Sequence, residues 1–213
     1  MPPKPRTEAQ QDARRQLILD ETRLLAREAG WHAVTIRAVA RRCGLTAPSL
    51  YELFPSKAAL LAAVARDGFA ELAESLANSD SNDSLEPLHR SAARYWRFAH
   101  EDPTLYDLMF HQPLELQFAT GKTPAVLHAG FRALAALVTD AASGLEIELH
   151  DPDTTTEAWW ATMHGIVSLA LSRRVRRRPG HPERLLRLAA DSFIAGLRAG
   201  CFDQPITTTG QPR

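Results

Sequence analysis

Between residues 30 and 57 the chain is punctuated more tightly than anywhere else along its length, and this stretch constrains the fold most. A long amphipathic helix beginning near Glu8 is expected to stop at Gly30, because a residue without a side chain enters the left-handed conformation that closes a helix. Thr35 is then a good N-cap for a short helix over 36–42, with Ile36, Val39 and Ala40 on one face. Gly44 breaks that helix and permits a tight turn. Thr46 can cap the next helix, and Pro48 fixes where it begins, since proline is tolerated in the first turn, where its missing N–H would be unpaired anyway. That helix is expected over 47–53. Phe54 and Pro55 end it, and Ser56 can cap a longer helix starting at Lys57. Two short helices joined by a turn of a few residues containing glycine form a helix-turn-helix, whose second helix offers its N-terminal residues to base edges in a major groove. Helical bundles also contain such corners, so spacing alone leaves DNA binding and plain packing both open.

The rest of the chain repeats apolar residues at helical spacing, as in Leu17, Ile18, Leu24 and Leu25, or Leu60, Leu61, Val64, Leu72 and Leu76. Alternating, strand-like runs are absent. Polar or Pro/Gly clusters at 78–84, 112–124, 143–153 and 178–182 separate about nine helices, giving an all-α chain with ragged ends at 1–7 and 203–213. The longest uncharged apolar stretch, 158–172, contains His164 and falls short of the roughly 20 residues a membrane-spanning helix needs. The first residues carry basic groups without an apolar signal-peptide core, so a cytoplasmic location is expected. Cys43 and Cys201 offer neither a bridge framework nor a zinc spacing, and no metal or other cofactor is expected. Cys43 itself is expected to be a small apolar turn residue.

The net charge of zero hides an asymmetry. Residues 1–66 hold eleven Lys and Arg against six Asp and Glu, whereas 67–213 hold fourteen against nineteen. A basic N-terminal segment suits a polyanionic partner.

The residues Thr35-Ile36-Arg37, Val39-Ala40, Gly44-Leu45, Leu50-Tyr51, Phe54-Pro55-Ser56-Lys57 and Leu60, at these spacings, resemble the DNA-binding domain of the TetR family of transcriptional regulators. The resemblance covers about residues 12–72, with the helix-turn-helix at about 35–54, and implies a homodimer whose two heads enter successive major grooves of a near-palindromic operator. A helical effector-binding and dimerisation domain over 80–201 is implied to follow. Tyr51 and Lys57 suit phosphate oxygens, positioning the protein and leaving base choice to other groups. Thr35 and Arg37 match family positions that touch backbone or base, and the guanidinium of Arg37 can bond guanine O6 and N7 together. The recognition helix offers Thr46, Ala47, Pro48 and Ser49, small residues suited to thymine methyl groups and to shape-dependent readout. Ala47, Glu52 and Leu53 depart from the long polar, basic or imidazole-bearing residues common in the family there.

Further on, Tyr95, Phe98-Ala99, Pro103, Tyr106, Met109-Phe110 and Trp160-x3-His164-Gly165 resemble the WHG-type C-terminal domain of TetR-like regulators. Trp96, Tyr106, Met109, Phe110, Phe131, Trp160, Met163 and His164 are candidates to line a cavity for a mostly apolar, partly aromatic effector, although pockets and cores use the same residues. His164 on an apolar helix needs a partner for each ring nitrogen. The last two helices, expected at 156–177 and 182–201, carry small residues among larger apolar ones, and the resemblance implies that they form a four-helix dimer interface. The arginine run at 173–178 is expected to close the first of them, where cations complement the helix's negative end.

Catalysis is not expected: HExxH, GxSxG, a phosphate-cradling glycine loop and paired metal ligands are all missing from the sequence. The expected function is a sequence-specific repressor that a small-molecule effector releases from double-stranded operator DNA. The alternative is a helical ligand-binding or scaffold protein without DNA binding, which would have no use for the basic head.

Overall fold

The computed structural model describes residues 7–78, 86–114, 125–176 and 178–202, the side chains of Val126 and Leu127 excepted. Nine α-helices and no strand occur among the described residues. They are α1 Glu8–Ala29, α2 Ile36–Arg42, α3 Ala47–Tyr51, α4 Lys57–Ala77, α5 Pro87–Glu101, α6 Pro103–Phe110, α7 Ala125–Gly144, α8 Pro152–Leu171 and α9 His181–Arg198, with a 3-10 turn at Trp31–Ala33. No described helix is long and apolar enough to cross a membrane. Of the expected breaks at 78–84 and 112–124, residues 79–84 and 115–124 lie outside the described residues, as do 1–6 of the expected tail at 1–7, the tail at 203–213, and Arg177.

Two compact units emerge. The first contains α1 to α3, α4 up to Ala70, and α6. Its core joins Ile18, Leu19 and Ala26 of α1 to Ile36, Val39 and Ala40 of α2, Leu50 of α3, Phe54, and Leu60 and Val64 of α4, all buried. Fully burying each larger side chain among these contributes roughly 1.5–3 kcal/mol. The sequence division at residue 80 groups α6 with the helices that follow it; by its contacts α6 packs within the first unit. The reason is polar as well as apolar. Asp102 at its head accepts from Arg27 at 2.6 Å and Arg23 at 3.3 Å, both on α1. The indole of Trp31 donates to the Thr104 carbonyl at 3.0 Å. Phe110 meets Phe69 of α4 edge-on at 5.3 Å.

The second unit holds the last turns of α4, α5, most of α7, α8 and α9. Trp159 is fully buried, donates to Ser91 Oγ at 2.9 Å and packs on Phe193 at 5.2 Å, tying α8 to α5 and α9. Pairs at the two ends give the helix directions. Ser91 with Trp159 and Tyr95 with His164 make α8 parallel to α5, while His89 with Asp191 and Trp96 with Glu183 make α9 antiparallel to it.

Local differences from expectation have physical causes. Thr7, expected in the ragged tail, is the N-cap of α1 in a reciprocal capping box with Gln10. Gly30 has positive φ as expected but ψ 164°, an extended mirror-image conformation open essentially to glycine alone, and not the left-handed helical one. Helix α3 ends at Tyr51 and not at residue 53, with Glu52 as its C-cap and the amides of Leu53 and Phe54 both returning to the Leu50 carbonyl. Helix α8 starts a turn early, with Asp151 as N-cap and Pro152 at its first position, and ends at Leu171.

Candidate nucleic-acid interface

Each of α2, α3 and α4 is started by a hydroxyl. Thr35 Oγ1 accepts from the Ala38 amide at 3.1 Å, Thr46 Oγ1 from Ser49 at 3.3 Å, and Ser56 Oγ from Ala59 at 3.0 Å. Each such cap satisfies one orphan amide and stabilises its helix by about 1 kcal/mol. Between them Gly44 adopts φ +65°, and the Leu45 amide returns to the Ala40 carbonyl at 2.8 Å, closing the turn. Cys43 is the C-cap of α2, half-buried, and burial pushes its thiol above the ordinary range.

The inner face of the motif is locked and the outer face is bare. Leu50 and Phe54 are buried, while Thr35, Arg37, Thr46, Pro48 and Tyr51 are exposed, and Ala47 and Ser49 are partly so. Tyr51 is 51% exposed, a large fraction for an aromatic side chain in a packed domain. The first turn of α3 therefore presents small groups outward with a phenol one turn on. Lys57 is half-buried, and its Nζ donates to the Trp31 carbonyl at 3.1 Å. An ammonium has three donors, so two remain for an anion.

Arg42 is spent on structure. It bonds Glu21 at 2.8 Å and Glu28 at 2.6 Å, clamping α2 to α1, and these hydrogen bonds, that to Glu28 first, hold its guanidinium more firmly protonated than usual. Arg15 lies 4.5 Å over the Phe54 ring. Arg37 and Arg41 remain exposed on α2.

Two contributors escaped the sequence. Trp31 binds Lys57 through its carbonyl and Thr104 through its indole, so it links the start of α4 to the first turn of α6. Asp102 caps α6 through the Leu105 amide at 3.0 Å while taking both α1 arginines. Burial opposes its ionisation, but the Arg27 hydrogen bond, the Leu105 amide and the two guanidinium charges outweigh that and hold the carboxyl below the ordinary range. The Asp102-Pro103 pair is an N-cap signal that could have been read; nothing local points to the distant arginines.

The eight effector candidates divide between the units. Tyr106, Met109 and Phe110 lie on α6 in the first unit, and Trp96, Phe131, Trp160, Met163 and His164 lie in the second. Tyr106, Met109 and Met163 are buried, while Trp96, Phe110, Phe131, Trp160 and His164 are partly exposed. Around His164 the polar groups are matched: Nδ1 lies 3.1 Å from the Tyr95 hydroxyl and Nε2 3.3 Å from Ser168 Oγ. The Trp160 indole donates to the same Tyr95 oxygen at 3.4 Å. Trp96 donates to Glu183 at 3.0 Å and stacks on His100. A groove of about 410 Å³ in the second unit is lined instead by Glu86, Pro87, Asp140, Ala141, Leu145, Asp191 and their neighbours.

Residues 18–64 match the family model described as bacterial regulatory proteins, tetR family, and residues 88–193 match that of the tetracyclin repressor-like C-terminal domain. The chain is 34% identical over 99 residues to the HTH-type transcriptional repressor KstR of Rhodococcus jostii, covering 46% of this chain and 47% of that one. It is 47% identical over 55 residues to KstR of Mycolicibacterium smegmatis, covering 26% of each. The matched segments thus span half or less of these repressors' own lengths. Among solved structures, a protein with unknown function from Rhodococcus sp. RHA1 superposes with TM-score 0.70 at 26% identity, over 86% of this chain and 94% of that one. A TetR transcriptional regulator from the same source superposes with TM-score 0.60 at 24% identity, over 88% and 98%, and supports the fold.

Proposed function

Because the chain belongs to the TetR family of bacterial regulatory proteins, we propose that it is a dimeric DNA-binding repressor released from its operator by a small molecule. The observation that carries this is the bare outer face of the helix-turn-helix: a five-residue α3 locked by Leu50 behind and open in front. In this proposal Thr46, Ala47, Pro48 and Ser49 meet base edges in the major groove, and Arg37 reads a guanine. Thr35, Tyr51 and Lys57 hold phosphates. Half-site centres then lie about 34–36 Å apart or at a multiple of that distance.

Dimerisation is assigned to the outer faces of α8 and α9. Leu169 and Leu188 are 45% and 52% exposed there, and an added side chain at Gly165 would meet nothing within 4 Å, leaving room for close helix approach. The effector, mostly apolar and partly aromatic, is assigned to the candidates of the second unit, Trp96, Phe131, Trp160, Met163 and His164. It must bind the DNA-incompetent state more tightly than the competent one, and tenfold release needs about 1.4 kcal/mol of coupling. Helix α4, from Lys57 to Ala77, is the lever in this scheme. Trp31 supplies a direct link, since its bond to Thr104 lets a shift of α6 bear on the carbonyl that holds Lys57.

The test is a fluorescence titration of the purified chain against duplex DNA flanking its own gene, at two salt concentrations, with a scrambled duplex as control. Tight, salt-sensitive, selective binding is expected. Tyr51→Phe and Lys57→Ala should weaken it and lower its salt slope, and Arg37→Ala should relax preference at one base. Equal binding by all three variants and the unaltered chain would refute the site. Absence of binding to a duplex selected from a random pool would favour a ligand-binding protein without DNA.

A further inference from the structure

A groove of about 600 Å³ lies wholly within the first unit, between the end of α1 with its 3-10 turn and the first turns of α6. Trp31 and Pro103 supply apolar wall, and Arg27, His32, Asp107 and Gln112 supply polar groups. Gly30 lines it too. Side-chain atoms of His32 lie 2.9 Å from where a Cβ at Gly30 would sit, so the imidazole folds back over bare backbone.

Three of these side chains carry more binding capacity than the fold uses. Of the four tryptophans, Trp96 stacks on His100, Trp159 packs on Phe193, and Trp160 lies 6.1 Å from the His164 ring. Trp31 alone has no ring or guanidinium against its face among the described residues. Its indole N–H is tied to Thr104 and its carbonyl to Lys57, so the ring is fixed at its edge while its faces meet no other ring. Arg27 has Asp102 as its only side-chain partner among the described residues, through one nitrogen, and is 48% exposed. A guanidinium has five N–H donors, so most remain for a ligand. His32 is exposed, has no side-chain partner among the described residues, and offers at least one N–H. Asp107, the carboxylate on the groove, is already engaged: it accepts from Gln112 Nε2 at 2.8 Å and lies 3.6 Å from His111 Nδ1. An indole face takes a planar ring, and a guanidinium with spare N–H groups takes a carboxylate. A cation in the same place would meet Arg27 as a like charge.

We propose that this groove binds an aromatic carboxylate and regulates DNA binding from within the head, the ring lying on Trp31 and the carboxylate on Arg27 and His32. Trp31 is the route by which the ligand acts. A ring wedged against the indole bears on its 3.0 Å bond to Thr104 and on the carbonyl that holds Lys57, the ammonium assigned to a phosphate. The regulatory role rests on the DNA-binding function proposed above; the site itself does not.

The experiment follows the indole N–H signals of the isotope-labelled full-length chain by NMR, with Trp31 identified by the signal lost in Trp31→Phe. The probe is cinnamate, and cinnamylamine is its cationic counterpart. The expected result is a saturable shift of the Trp31 signal with a Kd of about 5 mM or tighter, and binding of the amine weaker by about tenfold. Arg27→Gln should weaken cinnamate binding by about tenfold, Arg27→Lys by less, and His32→Ala by about threefold. Thermal melting checks folding. His32 has no partner to lose, so His32→Ala still tests the site if Arg27→Gln is destabilised. Saturating cinnamate should lower affinity for a duplex selected by the protein from a random pool by about threefold or more, an effect absent from Arg27→Gln. No saturable shift, equal binding of the two probes, or unchanged binding by folded Arg27→Gln and His32→Ala overturns the site. Shifts confined to Trp96, Trp159 and Trp160 place the probe in the second unit and also overturn it. A saturated site with unchanged duplex affinity overturns the regulatory role. Failure to select any duplex defeats the DNA-binding function and the regulatory role with it, while the indole titration still decides the site.

Discussion

Asp102 joins two jobs that substitution can separate. Its carboxylate caps α6 through the Leu105 amide and neutralises Arg23 and Arg27, and its side chain is only 8% exposed. Asp102→Ala removes both. Losing an N-cap costs about 1 kcal/mol. Stripping the partner from a buried ion pair costs about 3–5 kcal/mol, but Arg27 is 48% exposed and can rehydrate, and Arg23 keeps Asp67 at 3.9 Å. A charge contribution of about 2 kcal/mol follows, for a total near 3 kcal/mol. Asp102→Asn keeps an acceptor for Leu105 and should cost only the charge part, about 2 kcal/mol. At about 2–4 °C per kcal/mol for a chain of this size, the melting temperature should fall by about 6–12 °C for the alanine variant and about 4–8 °C for the asparagine variant.

The assay is thermal unfolding followed by far-ultraviolet circular dichroism, with urea midpoints as a second measure. Acid gives an independent check. The folded carboxyl titrates below its unfolded value of about 3.9, so its stabilisation is fully present above that value and is lost as the pH falls through the folded one. The gap between the unaltered protein and Asp102→Asn should therefore stay constant from pH 7 to about 5 and shrink below about pH 4. An asparagine variant as stable as the unaltered protein at pH 7 would refute the ion-pair contribution. Equal melting of the two variants would refute the cap, and a gap that survives deep acid unchanged would refute the charge assignment altogether.

Two other perturbations test the frame around the site. Gly30→Ala places a Cβ 2.9 Å from the His32 ring in a backbone conformation with φ +78°, and should cost about 1–3 kcal/mol, seen as a lower urea midpoint with unchanged slope. Trp159→Phe leaves the Ser91 hydroxyl without its indole donor in a fully buried position and should cost about 1–3 kcal/mol in the same measurement; a loss below 0.5 kcal/mol would show that the pair adds little to the α5–α8 contact.

What could be read from the sequence and what could not divides by the distance over which each cause acts. Thr35, Thr46 and Ser56 cap amides three residues away, so a window of a few residues contains both partners, and the helix-turn-helix was legible almost to the residue. The packing of α6 against α1 was not, because what holds it is remote: Asp102 is 75 residues from Arg27 and 79 from Arg23, and Trp31 is 73 from Thr104. No periodicity encodes such pairings. The end of α8 failed differently. Val175 prolongs the apolar pattern and no glycine interrupts it, yet the helix stops at Leu171 because the amides of Arg173 and Arg174 fold back on its last carbonyls, with Arg173 in a conformation its side chain disfavours. Propensity would have placed these arginines on a helix, where the dipole explains them. Their position on a turn beyond the helix leaves that explanation short, because dipole effects fade within the last turn.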